Sequence, residues 1–460
     1  MSHIEQIPLH LFAEDAMRDY IKETVTSRAL ADAKDGLKPV QRKILWAMFK
    51  LGLFHNLAHK KSAKVSGEVM AKYNPHADCY PAIVNLAQAQ KKYNFVDGQG
   101  NWGGYSGDSP AASRYTECRL SKLAEDCLLD KDYLKVIPYE DNYDGTEKEP
   151  VYLPARLPFA LLNGVQGIAA AVRTGLPCFE MASLIDRCIY FLKHKELPIE
   201  EALKIKFTTI YGGKCISPEE DIRVFLETGN GSILFEPTYI IYKDRIELVG
   251  LQDNFDFDKT IEKLEELSEV KNVKDEGTGN IKICIYLNCK YNDTKAIDKI
   301  RKVLQTRMLY TTTILNRLPK EDGSVNANYK ETTILKVITN WCKFRVMLEK
   351  RYLQYLIQEQ EKNIKYQELL LKASKNLKII FDALKEENTE EVIIDRLQVT
   401  KEEAKIILDL PVRRLSKLDS SKTEDLLCKY KENLKDLQNR LNNPIDEVIK
   451  DLEKLKKEFA

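Results

Sequence analysis

The sequence contains no run of about 18 uncharged apolar residues, the length a helix needs to cross a bilayer, so no segment reads as membrane-spanning. It has no CxxC pair. Its ten cysteines stand singly at positions 79, 118, 127, 178, 188, 215, 284, 289, 342 and 428, which argues against a zinc module and offers no disulfide framework. Reduced thiols in a cytosolic setting are the expectation that follows. The opening MSHIEQIPLHLFAEDAMRDY places acids inside any would-be apolar stretch and does not read as a secretory signal. Net charge is missing too: 71 Lys+Arg stand against 70 Asp+Glu, so the whole chain gives no hint of a polyanion partner.

Length and local charge are what the sequence does have. With 460 residues and 43% apolar content, two or three domains are expected, because a single core stops growing near ~250–300 residues. Between Lys22 and Lys72 eleven bases face four acids, a net of +7 hidden inside the balanced total. Such a stretch fits either a polyanion-facing surface or a solvated, lysine-rich helix face.

Four regions follow along the chain. Residues 1–30 read as a helical arm. Residues 31–150 hold short helices between tight turns: one entered by Pro39 at its first position and running to about Leu51, one over Ser62–Tyr73 and one over Ala82–Gln90. That layout suits a helix-turn-helix or winged-helix unit. Residues 151–330 mix β-rich runs (SILFEPTYII, KICIYL) with amphipathic helices (DKTIEKLEELSEV, DTKAIDKIRKVL). The pairs Gly229-Asn230-Gly231 and Gly277-Thr278-Gly279 there read as turns, being too short for a phosphate loop. Residues 331–460 are helical and charged. Leu427, Tyr430, Leu434, Leu437 and Leu441 keep a 3–4 spacing that Ile445, Val448, Leu452, Leu455 and Phe459 resume after a one-residue slip at Asn442-Asn443-Pro444. With the stretch from about Thr332 to Leu384 this predicts an antiparallel coiled coil, with a helix of about fifty residues and a globular tip at about 386–422. A mechanical arm and a dimerisation rod are both compatible with that spacing.

Candidate chemistry is sparse. His76, in KYNPHAD, fits a turn residue, a metal ligand or a phosphate donor, and no second His or Cys stands at ligand spacing. In VDGQGNWGGYSGDSPAASRYTECRL a glycine-rich loop leads to Arg114 and Tyr115. A phenol ionises only near pH ~10 and needs neighbouring cations to act as a nucleophile. Arg114, with Arg42, Lys43 and His76 within reach, would supply them by stabilising a phosphorane-like transition state. Chemistry alone does not select Tyr115 from the 22 tyrosines.

The blocks RALADAKDGLKPVQRKILWAM, SAKVSGEVMAKYNPHAD, VDGQGNWG, AASRYTECRL, NYDGTEKEP, LLNGVQGIAAAV and ILDLPVRRLSKL resemble, in order, the breakage–reunion part of the type IIA DNA topoisomerases. The pattern is that of the A subunits of bacterial DNA gyrase and topoisomerase IV, and in layout that of the medium subunit of T-even phage enzymes. The resemblance runs from about Ile21 to the C-terminus. It implies an α+β multidomain fold: a winged-helix DNA gate in 31–150, an α/β tower in 151–330, and a long antiparallel coiled coil ending in a small exit-gate tip.

It also implies roles. Tyr115 would be the nucleophile that forms a 5′-phosphotyrosyl link, and Arg114 would hold the scissile phosphate. Arg28, Lys38, Arg42, Lys43 and His76 would contact DNA phosphates or the transition state. Ile168 would wedge between base pairs, exchanging stacking for a bent duplex. Gln41 and Asn74 stand where the family usually has His, and Ala77 where it has Gly. No metal ligand set is expected in this chain: Mg²⁺ and ATP would be held by a Toprim/ATPase partner subunit. Double-stranded DNA and a second copy are the other expected partners, in a bacterial or phage-infected cytoplasm, associated with the nucleoid. The winged-helix blocks begin within about thirty residues of the start, and the sequence stops where gyrase would continue into a DNA-wrapping domain. Relaxation or decatenation rather than supercoiling is therefore expected. A non-catalytic, architectural subunit with the same fold is the other class to weigh, and the intact Arg114–Tyr115 pair argues against it.

Overall fold

The computed structural model describes residues 8–88, 90–169, 172–320, 325–386, 388–410 and 420–460. They divide into two compact units, Met1–Leu348 with Val448–Ala460, and Glu349–Glu447.

The first unit opens with α1 (Leu9–Thr24), a helix with no buried residue, followed by a π-helical turn (Val25–Ala29) that sinks into the core. The basic segment then folds as α2 (Pro39–Lys50), whose Ile44, Leu45, Ala47 and Met48 are buried. Proline opens it, losing no hydrogen bond because the first-turn N–H groups have no intrahelical partner. The Gln41 side chain accepts the Lys38 N–H at 2.9 Å and closes the same turn. Gly36, at φ +70°, turns the chain toward α2, and a Cβ there would stand 2.2 Å from the backbone nitrogen of Ala160, so no other residue fits.

Strand β1 (Lys60–Lys61) leads directly into α3 (Ser62–Lys72), and α4 (Tyr80–Ala87) follows. The third expected helix thus ends at Ala87, where Gln88 turns extended. Strands β2 (Val96–Gln99) and β3 (Glu117–Leu120) complete a three-stranded antiparallel sheet in the order β1-β3-β2. Helix α5 (Lys122–Leu128), capped by Ser121 through the Ala124 N–H, packs its Leu123, Ala124, Cys127 and Leu128 inward. The hairpin β4 (Tyr139–Asp141) and β5 (Lys148–Pro150) clasps the end of α3: Asn142 donates to Lys72 O and Tyr143 to Ala71 O.

A larger mixed region follows. Strands β6 (Val165–Ala169), β7 (Val172–Leu176), β8 (Cys178–Phe179), β9 (Phe207–Thr208), β10 (Lys214–Cys215), β11 (Asn230–Glu236) and, further on, a strand over Thr306–Thr311 build a seven-stranded sheet. Helices α6 (Phe159–Leu162), α7 (Met181–His194), α8 (Ile199–Ala202) and α9 (Glu219–Thr228) connect or flank it. The run SILFEPTYII is not one strand. Pro237 has no N–H to give a ladder, and the chain passes there from β11 to β12 (Thr238–Ile241), which belongs to a different sheet. That second sheet also holds β13 (Arg245–Gly250), β14 (Val270–Asp275) and β15 (Ile283–Leu287), in the order β12-β13-β15-β14. Its apolar face shares a core with α10 (Phe257–Glu265) and α11 (Thr294–Leu304), through Leu248, Leu264, Ile285 and Ile300 among others. The strand Thr306–Thr311, β16, returns to the seven-stranded sheet beside β11, and β17 (Thr313–Pro319) pairs with β18 (Val325–Glu331) as a hairpin.

Helix α12 (Ile334–Lys375) has 42 residues, fewer than the fifty expected, because the chain breaks at Asn376 before α13 (Leu377–Ala383). Its Arg345 is buried in the first unit and donates to Asp451 at 2.9 Å.

The second unit contains the rest of α12 with α13, α14 (Thr389–Leu397), α15 (Lys401–Leu408) and α16 (Ser420–Asn442). α13 to α15 share a small core around Ile380, Ala383, Ile393, Leu397, Ala404 and Ile407. Ion pairs Lys375–Glu424 and Lys431–Glu368, both 2.8 Å, set α12 and α16 antiparallel. Leu427, Tyr430, Leu434, Leu437 and Leu441 are each half-buried on α16, as their spacing requires. The one-residue slip falls between α16 and α17 (Pro444–Phe459), whose Val448, Leu452 and Leu455 are buried in the first unit. Residues 411–419, which carry most of the ILDLPVRRLSKL block and part of the expected tip, lie outside the described residues.

Candidate functional site

Tyr115 ends a tight turn immediately before β3, with its N–H bonded to Ala112 O at 2.8 Å. The first amides of α3 hold that turn: Ser62 N–H donates to Thr116 O at 3.0 Å and Ala63 N–H to Ser113 O at 3.2 Å. Helix N-terminal amides lack intrahelical partners, so α3 lends two of its orphan donors to the carbonyls bracketing Tyr115. Buried Thr116 fastens the turn from below, donating from Oγ1 to Ser62 Oγ at 2.9 Å and meeting the Tyr80 hydroxyl of α4 at 2.9 Å. The backbone is fixed and the side chain is free: Tyr115 is 63% exposed. The guanidinium of Arg114, itself exposed, lies over the Tyr115 ring at 4.6 Å from its centroid.

A cleft of about 650 Å³ in the same unit gathers Arg28, Lys38 and Gln41 with Asn85, Lys91 and Gln166. Arg28 is exposed. Burial lowers the Lys38 and Lys91 ammonium pKa values, the latter to about 8. Across the cleft burial raises the Asp253 carboxyl to about 6, although the Ile210 N–H donates to it at 2.8 Å. Gln166 lies on β6 two residues before Ile168, which is 83% exposed opposite Arg173 of β7. His76 is exposed in the turn between α3 and α4, and the structure gives it no hydrogen bond or ion pair among the described residues.

Two of the residues expected at phosphates sit elsewhere. Arg42 is 2% exposed and holds Asp35 with two bonds, Nε to Oδ2 at 2.6 Å and Nη2 to Oδ1 at 3.0 Å. Asp35 is further satisfied by the Leu37 and Leu153 N–H groups. Lys43 donates to Tyr73 O at 2.6 Å and pairs with Glu149 at 3.3 Å. Arg42 points into the unit because Asp35, buried in its own segment, needs a counter-charge, and Lys43 because the buried Glu149 of β5 does. Lys34 does the same, reaching Asp32, Asn316 and Arg317 O. Sequence spacing does not foretell this inward turn. Nor does it single out Lys91, or the supporting Ser62, Tyr80 and Thr116.

Among the described residues no group of three or more His, Cys, Asp or Glu side chains is arranged to hold a metal ion. No described helix is long and apolar enough to cross a membrane.

Residues 28–453 match the family described as the A subunit of DNA gyrase/topoisomerase IV. The chain belongs to that family. Similar proteins include the A subunit of DNA topoisomerase 4 from Haemophilus influenzae, 33% identical over 97% of this chain and 62% of that protein. The DNA gyrase A subunit of Thermotoga maritima is 30% identical over 90% of this chain and 52% of its own length. That of Dehalogenimonas lykanthroporepellens is 42% identical over 48% of this chain and 28% of its own length. The chain thus spans from about half to three fifths of the first two relatives' lengths. As a member of the gyrase/topoisomerase IV family of A subunits it carries the Tyr115 turn and the Arg28–Lys38 cleft within the matched residues.

Proposed function

We propose that this chain is the DNA-cleaving and rejoining subunit of a type IIA topoisomerase, and that Tyr115 is its nucleophile. The observation that carries the reading is the pinned backbone and free phenol of Tyr115, with the Arg114 guanidinium against its ring. In the proposed reaction the phenol oxygen bonds to phosphorus as the P–O3′ bond breaks, and the phenolic proton leaves with the 3′ hydroxyl. The DNA end is held as a 5′-phosphotyrosyl ester, and the reverse attack by the 3′ oxygen reseals the strand. Phosphoryl transfer asks mainly for positioning and charge stabilisation, and Arg114, whose guanidinium lies over the ring of the attacking phenol, would supply the charge. Arg28 and Lys38 would hold flanking phosphates, His76 would donate to the transition state, and Ile168 would enter the base stack.

In this reading α2 to α4 with the sheet β1-β3-β2 form a winged-helix DNA gate, and the seven- and four-stranded sheets form the tower. The antiparallel α12 and α16 form the coiled coil of an exit gate. A staggered double-strand break needs two nucleophiles, hence a two-fold dimer. Mg²⁺ and ATP would come with a Toprim/ATPase partner subunit in the cytoplasm. The test combines the chain, that partner, Mg²⁺ and supercoiled plasmid, with a denaturant trap. Linear DNA carrying protein on its 5′ ends with wild type but not Tyr115→Phe supports the reading. DNA binding without any covalent complex would favour a non-catalytic architectural role, and equal cleavage by Tyr115→Phe would place the nucleophile elsewhere.

A further inference from the structure

The nucleophile's turn closes a long excursion between β2 and β3, and that excursion has a second anchor. Near its base it is held by the local network: Asn101 accepts the Gly103 N–H at 2.8 Å, the Ala111 N–H donates to Asn101 O at 3.0 Å, and buried Trp102 packs on Tyr80. At its tip Tyr105 leaves these partners for the four-stranded sheet. The ring is half-buried against that sheet's core, edge-on to Phe257 of α10 at 6.4 Å, and the hydroxyl donates to Asp275 Oδ1 at 2.7 Å, at the end of β14. The Gly277 N–H donates to the same oxygen at 2.9 Å. Position 277 must be glycine for this to close, since a Cβ there would stand 2.8 Å from the Tyr105 hydroxyl and 2.3 Å from Asn280 O. The phenol's pKa is raised by burial and by the Asp275 carboxylate, so it stays a donor through the neutral range.

We propose that Tyr105 is a positioning residue that latches the nucleophile loop to the four-stranded sheet, so that the placement of Tyr115 follows the placement of that sheet. The inference rests on the reading of Tyr115 above. The loop reaches the sheet through the ring and hydroxyl of Tyr105, and runs back through Ala111 to the Tyr115 turn. A shift of the sheet is therefore transmitted to one end of the segment whose other end presents the phenol. Tyr105 does not act on the phosphate. It sets how often the phenol stands where it can attack.

The test measures single-turnover cleavage of an end-labelled duplex at saturating DNA, using the full chain assembled with its Toprim/ATPase partner and Mg²⁺. DNA affinity and thermal midpoint are measured in parallel. Tyr105→Phe keeps the ring and loses the hydrogen bond, and the cleavage rate is expected to fall about three- to tenfold with affinity and midpoint unchanged. Asp275→Ala should do the same, the double variant should be no slower than either, and Asp275→Asn, which keeps an acceptor oxygen, should cleave like wild type. Wild-type cleavage rates in both Tyr105→Phe and Asp275→Ala overturn the latch, as does a loss that only tracks weaker DNA binding or a lower midpoint. An inactive wild type in the same assay overturns the cleavage reading itself, and the latch with it.

Discussion

Arg42 spans Asp35 with two parallel N–H···O bonds, and neither group reaches solvent. An ion pair out of water is stable only while both partners are present, because the survivor is left as an uncompensated buried charge. Arg42→Ala is therefore expected to destabilise the chain by about 3–5 kcal/mol, read from the denaturant midpoint. A loss of DNA affinity with stability intact would instead mean that Arg42 reaches a phosphate when DNA is bound.

Asp253 gives a pH dependence of defined sign. Burial raises its pKa from 3.8 to about 6, so the folded chain binds this proton more tightly than the unfolded one. The stabilisation is fully present below pH 3.8 and is lost as pH rises through about 6. Asp253→Asn, which still accepts the Ile210 N–H, is expected to stabilise the protein at neutral pH by no more than about 3 kcal/mol. The gain should shrink toward pH 4, and a gain unchanged between pH 4 and 7 would contradict the assignment.

Arg28 and Lys38 share the cleft and have no acid paired to them among the described residues, so their contribution to DNA binding should be electrostatic and independent of sequence. Replacing either with Ala should lower the slope of log K against log salt by about one, measured by anisotropy titrations between low and physiological salt. An unchanged slope would remove that residue from the DNA interface.

Ile168 buries almost none of its side chain, so Ile168→Ala should leave stability within about 0.5 kcal/mol. A wedge works only against stacked bases. The variant is expected to bend DNA less in a fluorescence-transfer assay and to cleave several-fold more slowly. A destabilised protein with normal bending would make Ile168 a structural residue.

Much of the architecture is local and was legible as pattern. Pro39 starts α2, the 3–4 spacing of Leu427 to Leu441 marks the half-buried stripe of α16, and the slip at Asn443 is the break before α17. These features depend on neighbours within a turn or two, which the sequence displays directly. Where a single residue carries two consequences, pattern fell short. Pro237 ends one strand and also sends the chain to another sheet, and only the second event needs tertiary partners to be seen.

For the site, the sequence displays Arg114 next to Tyr115, the glycine-rich loop before them and the excess of positive charge around α2, since residue type and order suffice for those; the family resemblance, and not chemistry, is what sets Tyr115 apart from the other tyrosines. Tertiary structure decided which bases are free. Lys34, Arg42 and Lys43 look in sequence like Arg28 and Lys38, yet the first three neutralise or satisfy groups that folding takes out of water, and the other two line an open cleft. It decided too that Tyr105 should meet Asp275, 170 residues away. Desolvation and long-range pairing depend on what surrounds a charge or hydroxyl once the chain has closed, and a linear sequence holds no record of that surrounding.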